Sequence, residues 1–262
     1  MRLLIFAFIM FVLLQETISQ NRLQDKNNIG WLGIFNTVKL NKKWSTHFEF
    51  QYRRAEFIQH SQQNLYRAGV NYDALPNAQI RFGFATVTTF PYGDYPINAF
   101  GKTFGENRFF EMVALHQKLF TLQLTHRLML EQRWIRKFSA QSVEKADGIS
   151  YSNRFRYMFR AQLPVGVRKE KKSYLAAFDE LFVSFGKNVG ENIFDQNRTA
   201  FLIGRSFSKV FRVEGGYFCQ ILQLSREIEN KNLIQYNQGF VINSYFNIDA
   251  SFHHQKQDKI LK

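Results

Sequence analysis

Residues 153–165 read NRFRYMFRAQLPV and place Arg154, Arg156 and Arg160 at positions of equal parity, with Phe155, Tyr157 and Phe159 between them. On an extended chain, alternate side chains share a face, so the guanidiniums line one side and the aromatic rings the other. Such a row can grip carboxylates or phosphates through paired N–H donors. Other residue types capable of chemistry are dispersed. His47, His60, His116, His126, His253 and His254 have no carboxylate or thiol at metal-ligand spacing, so no metal site is expected. There is no G-x-S-x-G, and no serine pairs with a histidine by spacing. GKNVGEN (186–192) lacks a phosphate-loop pattern, and the acceptor pattern Asn197-Arg198-Thr199 lies inside a strand-like run. The expectation is no catalytic residue and no cofactor. A hydrolase assembled from separate strands is the enzymatic alternative.

From Ile29 onward the dominant period is two, the signature of strands. Eleven alternating segments are expected at about 29–40, 44–57, 62–73, 78–90, 106–117, 120–138, 150–163, 173–186, 194–207, 210–224 and 232–252. Pro76, Pro91, Pro96 and Pro164 fall between segments, as ladder hydrogen bonding requires. Tight turns at 41–43, 74–77, 118–119 and 208–209 alternate with longer loops at 91–105, 139–149, 187–193 and 225–231. The basic connection 164–172 breaks that rule. No composition shift divides the chain.

Its beginning is different. Arg2 precedes an apolar run from Leu3 to Leu14, followed by a polar stretch through Thr17, Ile18 and Ser19. That is a secretory signal, with the cut expected before Gln20. The run is shorter than the roughly 18–20 residues of a spanning helix. The formal net charge is +14, which export directs toward acidic headgroups or phosphorylated sugars rather than nucleic acid. With Cys219 the one cysteine, there is no internal disulfide.

Which face is apolar decides the class. Segment 120–138 sets Leu122, Leu124, Leu128, Leu130 and Trp134 against Gln123, Arg127, Glu131 and Arg133; segment 44–57 sets Trp44, Phe48, Phe50 and Tyr52 against His47, Glu49, Gln51 and Arg53. A soluble exported barrel binding an apolar ligand would turn the apolar face inward. Three features favour the opposite. The segments exceed the about 9–11 tilted residues that cross a bilayer. Aromatics (Trp44, Trp134, Tyr151, Tyr157) lie toward the ends of apolar faces, as interfacial girdles do. Charges of both signs sit in mid-strand on the polar face. Strands in hydrocarbon must close. The expected fold is therefore all-β, a single antiparallel up-and-down transmembrane β-barrel over residues 20–262. Its core would span about 29–252, with a short basic tail at 253–262. Bacterial single-chain barrels have even strand numbers, so an extra short strand within Gln20–Asn28 makes twelve, with ten as the alternative.

NRFRYMFR (153–160), FDELFVSFG (178–186), FDQNR (194–198) and LNKKWSTHFEFQYR (40–53) resemble a family of bacterial outer-membrane proteins designated domain-of-unknown-function family 2490. The resemblance implies an outer-membrane barrel and brings no activity, ligand or active site with it. The chain departs from a common barrel habit by continuing past Phe252 instead of ending on an aromatic.

The expected lumen set is Glu49, Arg53, Arg67, Arg81, Glu111, Arg127, Glu131, Arg133, Arg154, Arg156, Arg160, Glu180, Arg198, Arg212 and Glu214. Within it, Arg127, Glu131, Arg133, Arg154, Arg156, Arg160, Glu111 and Glu180 form the candidate charge cluster. It could be an anion-preferring path or a site for phosphorylated headgroups. Alternatively, Arg–Glu pairs hold a narrow, passive or structural barrel shut, which long arginines suit. The local excess of arginine predicts little conductance and an anion near Arg154 and Arg156. Expected partners are outer-membrane lipid, lipopolysaccharide and other envelope proteins. Strict alternation also points either Asp179 or Glu180 outward unless a bulge intervenes.

Overall fold

The computed structural model describes residues 22–166, 172–189 and 193–251. The expected signal (1–19) and tail (253–262, with His253 and His254) lie outside them. Each alternating segment becomes one strand: β1 (Arg22–Lys39), β2 (Trp44–Ala55), β3 (His60–Leu75), β4 (Ala78–Thr89), β5 (Phe104–Leu119), β6 (Leu122–Lys137), β7 (Gly148–Val165), β8 (Ser173–Phe185), β9 (Phe194–Ser206), β10 (Phe211–Ile228) and β11 (Lys231–Asp249). Each strand pairs with its sequence neighbours, and β1 meets β11 to close the barrel.

The strand number corrects the expectation of twelve or ten. Residues 22–28 form no separate strand; they continue β1 in phase, with no turn before Ile29. In a meander, successive strands reverse direction, so an odd number leaves the first and last running the same way. β1 and β11 accordingly pair in parallel, from Arg22↔Asn232 to Lys39↔Asp249, whereas every other pair is antiparallel. The seam is tight: a Cβ on Gly239 would collide with the carbonyl oxygen of Ile29. Closure leaves no unpaired edge.

The two ends differ. β1–β2, β3–β4, β5–β6 and β9–β10 are joined by short turns at one end, and at the other lie loops 90–103 and 138–147 and the turn that leaves β8 at 186–189. The expected loop 225–231 is instead strand. β10 and β11 extend to a two-residue turn at Glu229 and Asn230, whose φ values of 51° and 58° suit a hairpin that follows strand twist.

The faces follow the alternation. Phe48, Phe82, Phe109, Leu128, Phe155, Phe201 and Ile203 are exposed on the outside, while Glu49, Arg67, Glu131, Arg154, Arg156 and Glu214 are buried within. Trp44 packs on Tyr72 near the short-turn end and Trp134 on Tyr151 near the long-loop end, with ring centroids 4.7 and 5.2 Å apart. Tyr157 lies in the middle of β7, not near an end, and its hydroxyl meets His126 Nδ1 at 2.8 Å. Among the described residues no helix is long and apolar enough to cross a membrane, which says nothing about strands.

Candidate functional site

The interior is built from inward positions two apart on successive strands, so charges stack into layers across the lumen. Glu131 is the hub of the middle layer, with 0 % of its surface exposed. Its Oε2 accepts Arg154 Nε (2.8 Å) and Nη2 (2.6 Å), and its Oε1 accepts Arg156 Nη1 (2.8 Å). Arg67 Nη2 and Arg108 Nη1 stand at 3.7 and 3.8 Å from the same carboxylate. Glu180 accepts Arg156 Nε (3.0 Å) and Nη2 (2.7 Å) together with Arg127 Nη2 (2.7 Å). Toward the short turns, Glu214 takes Arg160 Nη2 (2.7 Å) and the hydroxyls of Tyr174 (2.8 Å) and Tyr245 (2.6 Å). Fork-to-carboxylate bonds of this kind are the strong class. They fill the mid-section with buried side chains.

The structure brings Arg127, Glu131, Arg133, Arg154, Arg156 and Glu180 into one connected network, with Arg160 joined to Glu214 instead. Glu111 is the exception and corrects the expected lumen set. It is exposed on the outer face of β5 and accepts Gln132 Nε2 of β6 at 3.1 Å. The inward phase of β5 is Glu106, Arg108, Phe110, Met112 and Ala114. Both faces of this strand are apolar in mid-course, so a single glutamate was a poor phase marker.

Three charged groups that pattern reasoning passed over complete the network. Glu106 Oε1 accepts Arg108 Nε (2.6 Å) and Arg133 Nε (2.5 Å). Glu106 and Arg108 share parity, so that pair could have been read from the sequence. Asp195 could not. By alternation it would point outward, but the ladder shifts between Phe182 and Val183, which pair with Gln196 and Phe194. Asp195 is the extra residue of this bulge, re-aimed inward, and its Oδ2 accepts Arg154 Nη1 at 2.7 Å. A second bulge on β3, opposite Arg53 and Arg54, leaves Gln62 unpaired in register and buried, where it accepts Trp31 Nε1 at 2.6 Å.

The excess of arginine expected around Arg154 and Arg156 is therefore answered by the carboxylates of Glu106, Glu131, Glu180 and Asp195. It reappears elsewhere. Arg53 and Arg198, with 4 % and 9 % of their surface exposed, form no ion pair among the described residues. Arg53 donates Nε to Gln51 Oε1 at 2.9 Å and bonds Gln63; Arg198 donates Nε to Gln196 at 3.2 Å. Both guanidiniums sit over the Trp31 ring, 4.1 and 5.0 Å from its centroid. Burying an ion costs several kcal/mol, and a cation–π contact returns about 0.5–2 kcal/mol. Amide bonds and ring contacts offset only part of that cost for these two, whereas the Glu131 arginines are held by full opposite charges.

These two arginines open onto a cavity of about 200 Å³ at the long-loop end, lined also by Thr89, Tyr92, Ser152, Gln220 and Asn98. Loop 90–103 is strapped into this mouth: Tyr92 donates its hydroxyl to Gln235 Oε1 at 3.0 Å, Tyr95 N–H reaches Asp25 Oδ2 at 3.4 Å, and Arg226 Nη2 reaches Pro96 O at 2.7 Å. Gly93 makes the bend with φ of 71°, where a Cβ would press on Asp25 Oδ2 and Asn27 Oδ1.

Thr37 Oγ1 lies 3.5 Å from His47 Nδ1, and His47 Nε2 lies 3.4 Å from Glu49 Oε2, but that carboxylate already takes Arg67 Nη1 at 2.8 Å. No group of three or more His, Cys, Asp or Glu suited to a metal ion occurs among the described residues. On the outer face Asp179, with no bulge at its position, accepts Asn197 Nδ2 (3.0 Å) and Thr199 Oγ1 (2.9 Å).

The family model described as "Protein of unknown function (DUF2490)" matches residues 28–232. No curated protein matches the chain. A solved structure described as a NanC porin in a rhombohedral crystal form is similar at 12 % identity and a TM-score of 0.45, covering 80 % of this chain and 89 % of that one.

Proposed function

The chain belongs to this family of proteins of unknown function, and on that premise we propose that it is an outer-membrane β-barrel with a structural or narrowly passive role. The observation that carries the reading is the fully buried Glu131, clamped by arginines from β7 and approached by others from β3 and β5. A fold with apolar residues outside and paired charges inside is turned outside-in relative to a water-soluble protein. Lipid around the strands and a plugged lumen account for both halves of that pattern. Trp44 with Tyr72 at one end and Trp134 with Tyr151 at the other support two interfacial girdles. The leader through Ser19 would deliver the chain to the envelope, with lipid and lipopolysaccharide as its surroundings. The proposed role is non-enzymatic and needs no cofactor.

Planar-bilayer recording of the refolded protein tests the plug. The expected result is little or no steady conductance at either polarity. Large cation-selective channels would overturn both the plug and the inward arginines. N-terminal sequencing of protein from fractionated outer membranes is expected to begin at Gln20, and recovery mainly from the soluble periplasm would reject the membrane reading.

A further inference from the structure

We propose that Arg53 and Arg198, carried on the indole of Trp31, form a binding site for a small solute oxyanion, a phosphate or a carboxylate, reached from the long-loop mouth. The reading needs the inward faces and the cavity, and it goes beyond a structural barrel by giving the mouth a ligand.

Four observations lead there. The two guanidiniums are buried and form no ion pair among the described residues, while the neighbouring Arg154 and Arg156 are saturated by carboxylates. The carboxylates that could have served them are engaged: Glu49 by Arg67 and Glu180 by Arg127 and Arg156. Both line the same cavity, whose wall also carries Arg108, Arg133 and Arg136 against Glu106 and Asp195. A low-dielectric wall focuses such a positive potential on the mouth. Finally, the two groups share one ring, so their guanidinium carbons lie no farther apart than their two distances to its centroid combined. An oxyanion in the cavity that both line, met directly or through a water, would then answer both charges.

The surrounding chemistry narrows the class. Gln62, Gln63, Gln196 and Gln220 present amides, and Thr89 and Ser152 hydroxyls, to the same space. Amides donate and accept, so they suit hydroxyl groups beside the charge. A cavity of about 200 Å³ has room for a small hydroxylated acid. Strands separate the cavity from the outer face, and loop 90–103 leans over its rim. An ion in solution therefore reaches it, and a lipid headgroup does not.

The test uses the full mature barrel refolded into zwitterionic phosphatidylcholine vesicles. Inorganic phosphate and gluconate are titrated against chloride at matched ionic strength. Trp31 fluorescence and thermal stability are the readouts, since a ligand bound to the folded state alone raises its stability. The expected result is a saturable change with phosphate or gluconate and none with chloride. Arg53→Gln and Arg198→Gln should each weaken it at least tenfold, while Arg212→Gln, an arginine near the short turns over Tyr245, leaves it unchanged. The stability measurement on the unsubstituted protein stands alone should a variant fail to fold. A response equal in chloride, an equal loss with Arg212→Gln, or no saturable response would overturn the site. A second arm replaces phosphate with phosphatidylglycerol vesicles. A change seen there and not with soluble anions would assign the charge to headgroups and also overturn the proposal.

Discussion

Two arginine clusters share the lumen, and they are satisfied in different ways. Around Glu131 the guanidiniums of Arg154 and Arg156 meet carboxylates on β6, β8 and β9, each within 3.0 Å. Around Trp31 the guanidiniums of Arg53 and Arg198 meet amides and an aromatic face, with no carboxylate partner among the described residues. Both clusters place arginine at inward positions, two apart on β7 in the first and one each on β2 and β9 in the second. The difference lies in what the neighbouring strands supply at that height. The first cluster neutralises its arginines within the lumen, and the second leaves positive charge beside the cavity at the long-loop end. Residue type alone therefore does not separate the two clusters; the partners do.

The sharpest way to break this contrast is to remove the hub. Glu131→Gln keeps the shape and deletes the charge, leaving Arg154 and Arg156 short of a counter-charge in a dry layer. Breaking a buried pair from one side costs about 3–5 kcal/mol. Urea unfolding from phospholipid vesicles should show a loss of that size, along with poorer refolding. A change below about 1 kcal/mol would mean that the arginines do not depend on Glu131, and the saturated cluster would lose its meaning.

Much of this architecture is legible in the sequence, and the gaps have physical causes. The eleven segments stand out because strand alternation is unmistakable on β2, β6 and β7, where one face is aromatic or aliphatic and the other charged. The strand number does not follow the even-number habit of single-chain barrels, because an odd meander needs only one parallel seam to close. Glu111 is a weak phase marker because Phe109 and Phe110, just before it, put aromatic rings on both faces of β5. Asp195 and Gln62 were beyond periodicity, since a bulge changes which parity points inward. Arg53 and Arg198 belong to the expected lumen set, but their lack of a carboxylate partner among the described residues depends on contacts across the barrel.

A second substitution calibrates what an arginine costs on the other face. Arg127 points inward to Glu180 and Leu128 points outward, one residue apart. Leu128→Arg should cost about 2–4 kcal/mol if the position faces acyl chains near the midplane, measured as folding free energy in bilayers. Should Leu128→Arg fold as well as the parent while Arg127→Ala does not, the two faces are inverted and neither interior cluster exists.

The Trp31 cluster should respond in the opposite sense to the hub. Arg198→Met removes a buried charge that has no carboxylate partner and fills its place with an apolar chain. Replacing buried ionic groups with packed apolar ones is often neutral or stabilising. The expected change is within about 1 kcal/mol of the parent in anion-free buffer, with the parent gaining relative stability as phosphate is added. A loss as large as that of Glu131→Gln would make Arg198 a structural partner like the others.

The smallest effect belongs to the rim, where pH can act on a group in water. Asp147 lies in loop 138–147 and accepts the hydroxyl of Ser139 and, at 3.0 Å, its backbone N–H. The hydroxyl bond, reinforced by the amide, holds the Asp147 carboxyl below its ordinary range. A depressed carboxyl pKa contributes order to the loop above the ordinary aspartate value of about 3.9, and that contribution fades as pH falls through the lower, folded value. The same loop accepts Lys102 Nζ at Gln141 O, 2.7 Å away, which ties it to loop 90–103 over the mouth. Carbon-detected titration should therefore place Asp147 below an ordinary aspartate, and Ser139→Ala should move it up. Protease sensitivity of the loop should rise in acid for the parent and at a higher pH for the variant, with the Glu131 cluster and the fold unaffected. If Asp147 titrates as an ordinary aspartate in the parent, the Ser139 bond does not hold this rim, and the mouth must be braced by loop 90–103 alone.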